Sequence, residues 1–520
     1  MRQATGTTRV SFIALTAAMA VSVGSLSAAS TARADPAHNL APHTGVSARE
    51  RPRPGAVGAG DRLFPSLGNG GYDVQSYDVG YGYRPGVMTM ESSVDIMATA
   101  TQALAGFSLD SAGQHIESVT VQGEKAAFHS SGEKLFITPK KPPAKGQLFR
   151  VHIGFSADRT ANPPSPSTPT VSPNFLNWYN RDDGFALFGQ PDRAHLFFPM
   201  NDIPRDKARV TFRITTPKDL QAVAGGTLRS RRTVGDRTTY VYSTRDPIPT
   251  DVIQAAVGHF KELDQSGPHG LPLRSYVDTD DFEKAAPQVK LVPGQVDWVE
   301  RELGVPFPFE TYGVLGLKGG YAAALESPTL STFSATAGLT KADHGDEGTM
   351  VHELVHQYFG DAVSVNNWDD MWLSEGHASY YTFRFMADKG YAENGTYDDN
   401  IHRAYEFDQA NRPQYGPPGR PGDTADVLGG TNAGGVVMLD GLRRLVGDAT
   451  FRAIERTFFE KYRSTSATTQ DYIDTANSVS GRDLTAYIRS WIYGATTPPA
   501  VGHPDWSAPA TVREPRSKAH

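Results

Sequence analysis

His352-Glu353-Leu354-Val355-His356, followed after eighteen residues by Glu375, is the stretch that decides how this chain is read. Residues four apart on a helix share a face, so His352 and His356 can aim two imidazoles at one ion. Glu353 sits about 100° further round the helix and is free to meet a water molecule instead of the ion. Two histidines, one carboxylate and an open fourth position make up a catalytic zinc site. The surrounding residues Met350, Val351, Leu354, Val355, Tyr358 and Phe359 are apolar, which makes the helix a buried one. Glu375 follows Trp372-Leu373-Ser374, and an acid placed among apolar residues requires a partner.

Working outward, residues 1–34 carry the pattern of a secretory signal. Arg2 and Arg9 precede a short apolar stretch from Phe12 to Leu26, and Ala32-Arg33-Ala34 has the form of a cleavage site. The apolar run is too short and too rich in Ser and Thr for a membrane anchor, and no later segment is apolar enough to span a bilayer. The expectation is a secreted, extracellular protein. Its net charge goes from −7 to −10 once Arg2, Arg9 and Arg33 are removed, which argues against nucleic acid as a partner. With no cysteine in the chain, an exported protein must rely on its core, and a metal site must use histidines and carboxylates.

Residues 35–60 are rich in Pro, Gly, Ala and Arg and read as a flexible leader. From Tyr72 to Leu263 the pattern is mostly strands: Tyr77–Val79, Ser93–Ile96, Arg150–Ile153, Arg209–Ile214 and Tyr240–Tyr242 alternate or run β-branched between Gly, Pro, Asp and Ser clusters. This is an all-β domain, assigned to residues 61–263, with Asp158–Pro173 as a loop. Residues 264–494 form the second domain. A helix is expected over 285–304, doubtful in its first half because of Pro287 and Pro293, then a buried strand at Tyr312–Leu317. The two metal helices follow, and further helices are expected at 435–446, 449–462, 469–478 and 484–493. The tail, 495–520, is Pro-rich and polar and reads as disordered.

Several short elements add to the metal motif. Gly68-Asn69-Gly70-Gly71-Tyr72-Asp73 opens the β region. Gly189-Gln190-Pro191 stands just before Phe197-Phe198-Pro199-Met200-Asn201-Asp202. Ala322-Ala323-Ala324-Leu325-Glu326-Ser327-Pro328 follows the buried strand, and Trp491-Ile492-Tyr493-Gly494 ends the helical region. With these in place, residues 61–494 resemble the aminopeptidase N family of zinc metallopeptidases, the gluzincin type, in a short secreted bacterial form. The resemblance implies an α+β fold: an N-terminal antiparallel β-saddle or sandwich domain followed by a thermolysin-like, mainly helical catalytic domain. It implies one Zn2+ per chain held by His352, His356 and Glu375, with Glu353 as general base. Ala323, Ala324 and Glu326 stand where the family's "GAMEN" strand pairs with the substrate backbone, and Glu326 would bind the free α-amine. Gln190 would contact the first substrate residue. Peptides are the implied substrates, and a monomer is expected.

The chain also departs from that family. A tyrosine whose hydroxyl stabilises the oxyanion is expected downstream of the third ligand, and Asn432 aligns with it. Losing one such donor costs about 100- to 1000-fold in rate. Tyr415 and Tyr380 are candidates to replace it. Thr382 stands where the family commonly places an acid near the metal. His377, two residues past Glu375, is expected to pack or to form a pocket wall, since a catalytic site needs its fourth position open. Three readings follow: a zinc aminopeptidase, a catalytically weakened or non-catalytic zinc- or peptide-binding member, and a thermolysin-like endopeptidase.

Overall fold

The structure, a computed structural model, describes residues 51–161, 177–319, 324–336, 338–339, 344–391, 395–422, 424, 427–428 and 432–507. The expected signal, residues 35–50, most of the loop up to Pro173, Ala323 and the end of the tail lie outside these residues.

The chain is α+β, a strand-rich half followed by a mainly helical one. The largest sheet has eight strands. Its centre is Tyr72–Gly82, Thr89–Ala100 and Leu148–Asp158, in which buried and more exposed residues alternate. Such alternation turns one face of a strand to the core and the other to water. Four-stranded sheets built on Leu104–Asp110 and on Ala255–Gly258 complete the first half.

The sheets are not purely antiparallel, contrary to expectation. Arg209–Pro217 pairs parallel with Tyr72–Gly82, and Arg53–Pro54 pairs parallel with Leu104–Asp110. Alternation tells which face of a strand is buried but not which neighbour it takes. The second pairing also corrects the leader: residues 53–59 are tied down by Gly55 N to Gly106 O at 2.9 Å and Ala59 N to Leu67 O at 3.0 Å. A domain boundary at 263/264 would cut the strand Phe260–Ser266. That strand forms a hairpin with Pro272–Asp278, whose other neighbour is Val314–Leu317, and so it belongs to the second half.

Nine helices are described: α1 (Phe282–Val289), α2 (Val292–Leu303), α3 (His344–His356), α4 (Trp372–Asp388), α5 (Tyr397–Tyr415), α6 (Ala433–Val446), α7 (Asp448–Tyr462), α8 (Thr469–Ser480) and α9 (Thr485–Tyr493). The single helix expected over 285–304 is two, parted at Lys290-Leu291. Pro293 then falls in the first turn of α2, where its missing N–H costs nothing. The tail is ordered as far as Ser507. Thr497 Oγ1 bonds Asp408, and Trp506 stacks on His503 and His402 against α5.

The two halves meet beside the metal helices. Asp61 accepts from Trp368 N at 2.9 Å, Arg62 forks onto Asp369, and Arg205 reaches Asn367 Oδ1 at 2.8 Å. Lys207 Nζ donates to the carbonyls of Asp361 and Ala362 at 2.7 and 2.8 Å. None of the described helices is long and apolar enough to cross a membrane.

Candidate active site

The helix α3 ends at His356, and the chain then turns sharply so that Asp361 N bonds His356 O at 2.9 Å. Gly360 makes this turn at φ +133°. A Cβ there would lie 2.5 Å from Ser374 Oγ and 3.3 Å from His356 Nδ1, so only glycine lets the loop pass. The return path delivers α4 against α3 with Glu375 in its first turn.

His352 Nε2 and His356 Nε2 face each other at 3.0 Å, and Glu375 Oε2 stands 3.4 and 3.8 Å from them. Donors in a tetrahedral zinc site, with bonds of about 2.0–2.1 Å, stand roughly 3.3 Å apart. The three atoms therefore fit zinc without rearrangement. They form the only group of three or more such donors drawn this close among the described residues. The His356 side chain is closed off at 1% exposure, while His352 and Glu375 show 24% and 17%, which leaves one side open.

A proton chain sets the tautomer of His356. Ser374 Oγ lies 3.2 Å from the Phe359 carbonyl, which can only accept, so the hydroxyl donates there. The same oxygen, 2.8 Å from His356 Nδ1, then accepts the ring N–H, leaving the Nε2 lone pair for the metal. Burial lowers the His356 pKa and favours the neutral, ligating ring. Burial raises Glu375, but the His352 hydrogen bond and the charges of His356 and His352 outweigh it and hold the carboxylate below its usual range. Glu353 is buried beside His352. Burial, with the charges of Glu326 and Glu375, pushes it well above the usual carboxylate range.

Glu326 follows Leu325, which bridges Thr332 by hydrogen bonds of 2.9 and 2.8 Å. Its main chain is tied to the metal helix: Gln357 Nε2 donates to Glu326 O at 2.7 Å, and Gln357 Oε1 accepts from Thr329 N at 2.8 Å. Its carboxylate accepts from Gln190 Nε2 at 2.7 Å. Gln190 and Glu326, expected separately, are thus brought together from the two halves. Ala324 is half-buried next to Leu325, and Ala323 lies outside the described residues.

Asn432 is buried at the N-cap of α6. A Cβ on Gly376 would lie 3.6 Å from the Gly435 backbone, so α6 crosses α4 one residue from Glu375 and about one turn from Asn432. The Tyr380 ring packs on Phe451 of α7 and on Tyr381. Thr382, by contrast, faces Gly348 of α3, and its hydroxyl bonds Ala378 O at 2.8 Å. His377 packs as expected, 3.1 Å from Glu455 and stacked on Phe359. Sequence reasoning missed Ser374, Gln357, Asp251 and Asp361. Adjacency to the metal ligands was the available signal for the first two.

Residues 288–491 match the description "Peptidase family M1 domain". The chain carries a peptidase family M1 domain. Similar M1 structures include the M1 zinc metallopeptidase from Deinococcus radiodurans, with a TM-score of 0.74 and 26% identity, covering 85% of this chain and 99% of that one. A mutant form of that metallopeptidase bound to a Tyr-Ser-Ala substrate matches at 0.74 and 25% over the same shares. Bovine glutamyl aminopeptidase is 28% identical over 214 residues, 39% of this chain and 22% of its own length. Probable aminopeptidase 2 of Sulfurisphaera tokodaii is 22% identical over 401 residues, 74% of this chain and 49% of its own. The chain spans about half or less of these curated relatives. The neighbours are M1 zinc metallopeptidases, which makes zinc the implied cofactor, and His352, His356 and Glu375 form a group that could hold it.

Proposed function

We propose that the protein is a secreted zinc aminopeptidase that removes single residues from peptide N-termini. The observation that carries this reading is the placement of Glu326. Its carboxylate is steadied by Gln190 from the first half, and its main chain is bonded to Gln357, the residue after a proposed zinc ligand. A carboxylate at a set distance from the metal suits a free α-ammonium group, and that charge pair limits cleavage to the first peptide bond.

Zinc, when bound at His352, His356 and Glu375, supplies Lewis acidity that polarises a carbonyl and acidifies water. Glu353, buried beside His352, takes a proton from the attacking water and returns it to the leaving amine. Glu326 holds the substrate's ammonium end, Gln190 lies beside the first residue, and Ala323 and Ala324 run alongside the substrate backbone. The Asn432 amide donates a hydrogen bond to the developing oxyanion. Residues 1–34, read as an export signal, support the extracellular assignment, and the expected state is a monomer. Asn432 in place of a longer tyrosine favours a second reading, a member with weakened turnover.

Aminoacyl chromogenic substrates and their N-blocked counterparts, given to the zinc-loaded protein, test both. Cleavage of the free-amine forms alone, abolished by Glu353→Ala, is expected. Cleavage of the blocked forms would make the protein an endopeptidase. Bound zinc without turnover on a broad panel would leave the binding protein.

A further inference from the structure

Behind the Gln190–Glu326 pair lies a small cavity with room for roughly one water molecule. Three of its ten lining residues are carboxylates, Asp251, Glu326 and Asp361, while Pro204, Val252, Val365 and Met371 are apolar. Both oxygens of Asp361 are buried with no hydrogen-bond donor among the described residues, and so is Oδ1 of Asp251. Neither side chain is more than 4% exposed. The nearby cation meets the Asp361 carboxylate through its charge alone: Lys207 Nζ spends its short bonds on the carbonyls of Asp361 and Ala362. Gln190 offers one amide, divided between Glu326 at 2.7 Å and Asp251 at 3.4 Å. Buried carboxylate oxygens without a donor are expensive, and the three of Asp361 and Asp251 at one cavity compound the cost.

We propose that this cavity binds a water-sized monovalent cation, potassium or ammonium, between Asp361, Asp251 and Glu326. Calcium or magnesium would draw carboxylate oxygens to about 2.0–2.6 Å from the ion, and hence close to one another. Among the described residues only the zinc donors stand so close together. Potassium and ammonium contact oxygen near hydrogen-bond length and tolerate a wider spacing. Burial and the charge of Glu326 push Asp251 well above the usual carboxylate range, a penalty that a bound cation relieves. The binding itself does not depend on the peptidase reading.

The test is the thermal midpoint of the full zinc-loaded chain at constant ionic strength, with choline chloride exchanged for KCl, NH4Cl, NaCl, LiCl or CaCl2. Potassium and ammonium should raise it by about 1–3 °C over choline, and Asp361→Asn and Asp251→Asn should each remove the difference. A slowly exchanging bound signal from 15N-ammonium, displaced by potassium, should accompany it, so the result does not hang on variants that fold poorly. Equal midpoints in potassium and choline, with no bound ammonium signal, would mean that the cavity holds only water and would overturn the proposal. A rise with calcium alone would overturn it as well.

Discussion

Ser374 Oγ stands 2.8 Å from His356 Nδ1, and its own proton is committed to the Phe359 carbonyl. The hydroxyl therefore fixes which imidazole nitrogen faces the metal. Ser374→Ala removes the nearer of the two acceptors around Nδ1 and leaves only the Phe359 carbonyl at 3.3 Å to hold the tautomer. Zinc affinity should fall about 10- to 100-fold, read by competition with a chelator. An unchanged affinity would show that packing alone orients the ring.

Glu326→Ala removes a carboxylate proposed to meet an ammonium group. A charge-assisted hydrogen bond is worth about 1.5–3 kcal/mol, so KM for free-amine substrates should rise about 10- to 100-fold, with a smaller change in kcat. Gln190→Ala should act in the same direction by a smaller factor, because it only steadies the carboxylate. Steady-state kinetics on one aminoacyl substrate check both, and an unmoved KM in Glu326→Ala would take the residue out of amine recognition.

Asn432→Ala deletes the proposed oxyanion donor while leaving the zinc donors in place. The kcat should drop by about 100-fold with little change in KM or in zinc content. If kcat is unaltered, the amide does not reach the reacting carbonyl.

The first half holds a buried titrating group that is not one of the zinc donors. His195 is fully buried, with Nδ1 2.7 Å from Asp202 and Nε2 3.5 Å from Glu133. Burial opposes the charged ring, but the two carboxylates win and its pKa is pushed up to about 9 from 6.5. A raised folded pKa means that the stabilisation is fully present below the unfolded value and disappears as pH rises through 9. Denaturant unfolding of the wild type and His195→Gln at pH 6 and pH 9.5 should show the gap between them closing by about 3 kcal/mol. A constant gap would mean that the ring is neutral throughout.

The metal site was legible because helical spacing fixes direction: His352 and His356 four apart, with Glu375 on the next helix, needed no knowledge of the rest of the fold. The core strands were legible for a similar reason, since alternation marks the buried face. The helix α5 was not foreseen because it shows few apolar residues in sequence. What starts it is a capping box in which Thr396 and Asp399 exchange hydrogen bonds, a signal that the residues T-x-x-D did carry. The ordered tail and residues 53–59 were missed because their partners, Asp408 and Gly106, are distant in sequence. Gln357 and Ser374 were hidden for another reason: a polar residue beside a ligand shows its purpose only once the loop brings it a partner.

The seam between the halves bears on how such a peptidase could be taken apart. A fragment beginning at Phe260 would still own His352, His356, Glu375 and Glu353, and could present them to a metal. It would lack the amide that grips Glu326 and the Asp61, Arg62 and Arg205 contacts that brace residues 366–369 just ahead of α4. Recombination between relatives would thus have to carry both halves as one inherited cassette, since Gln190 and its partner Glu326 stand on opposite sides of the seam.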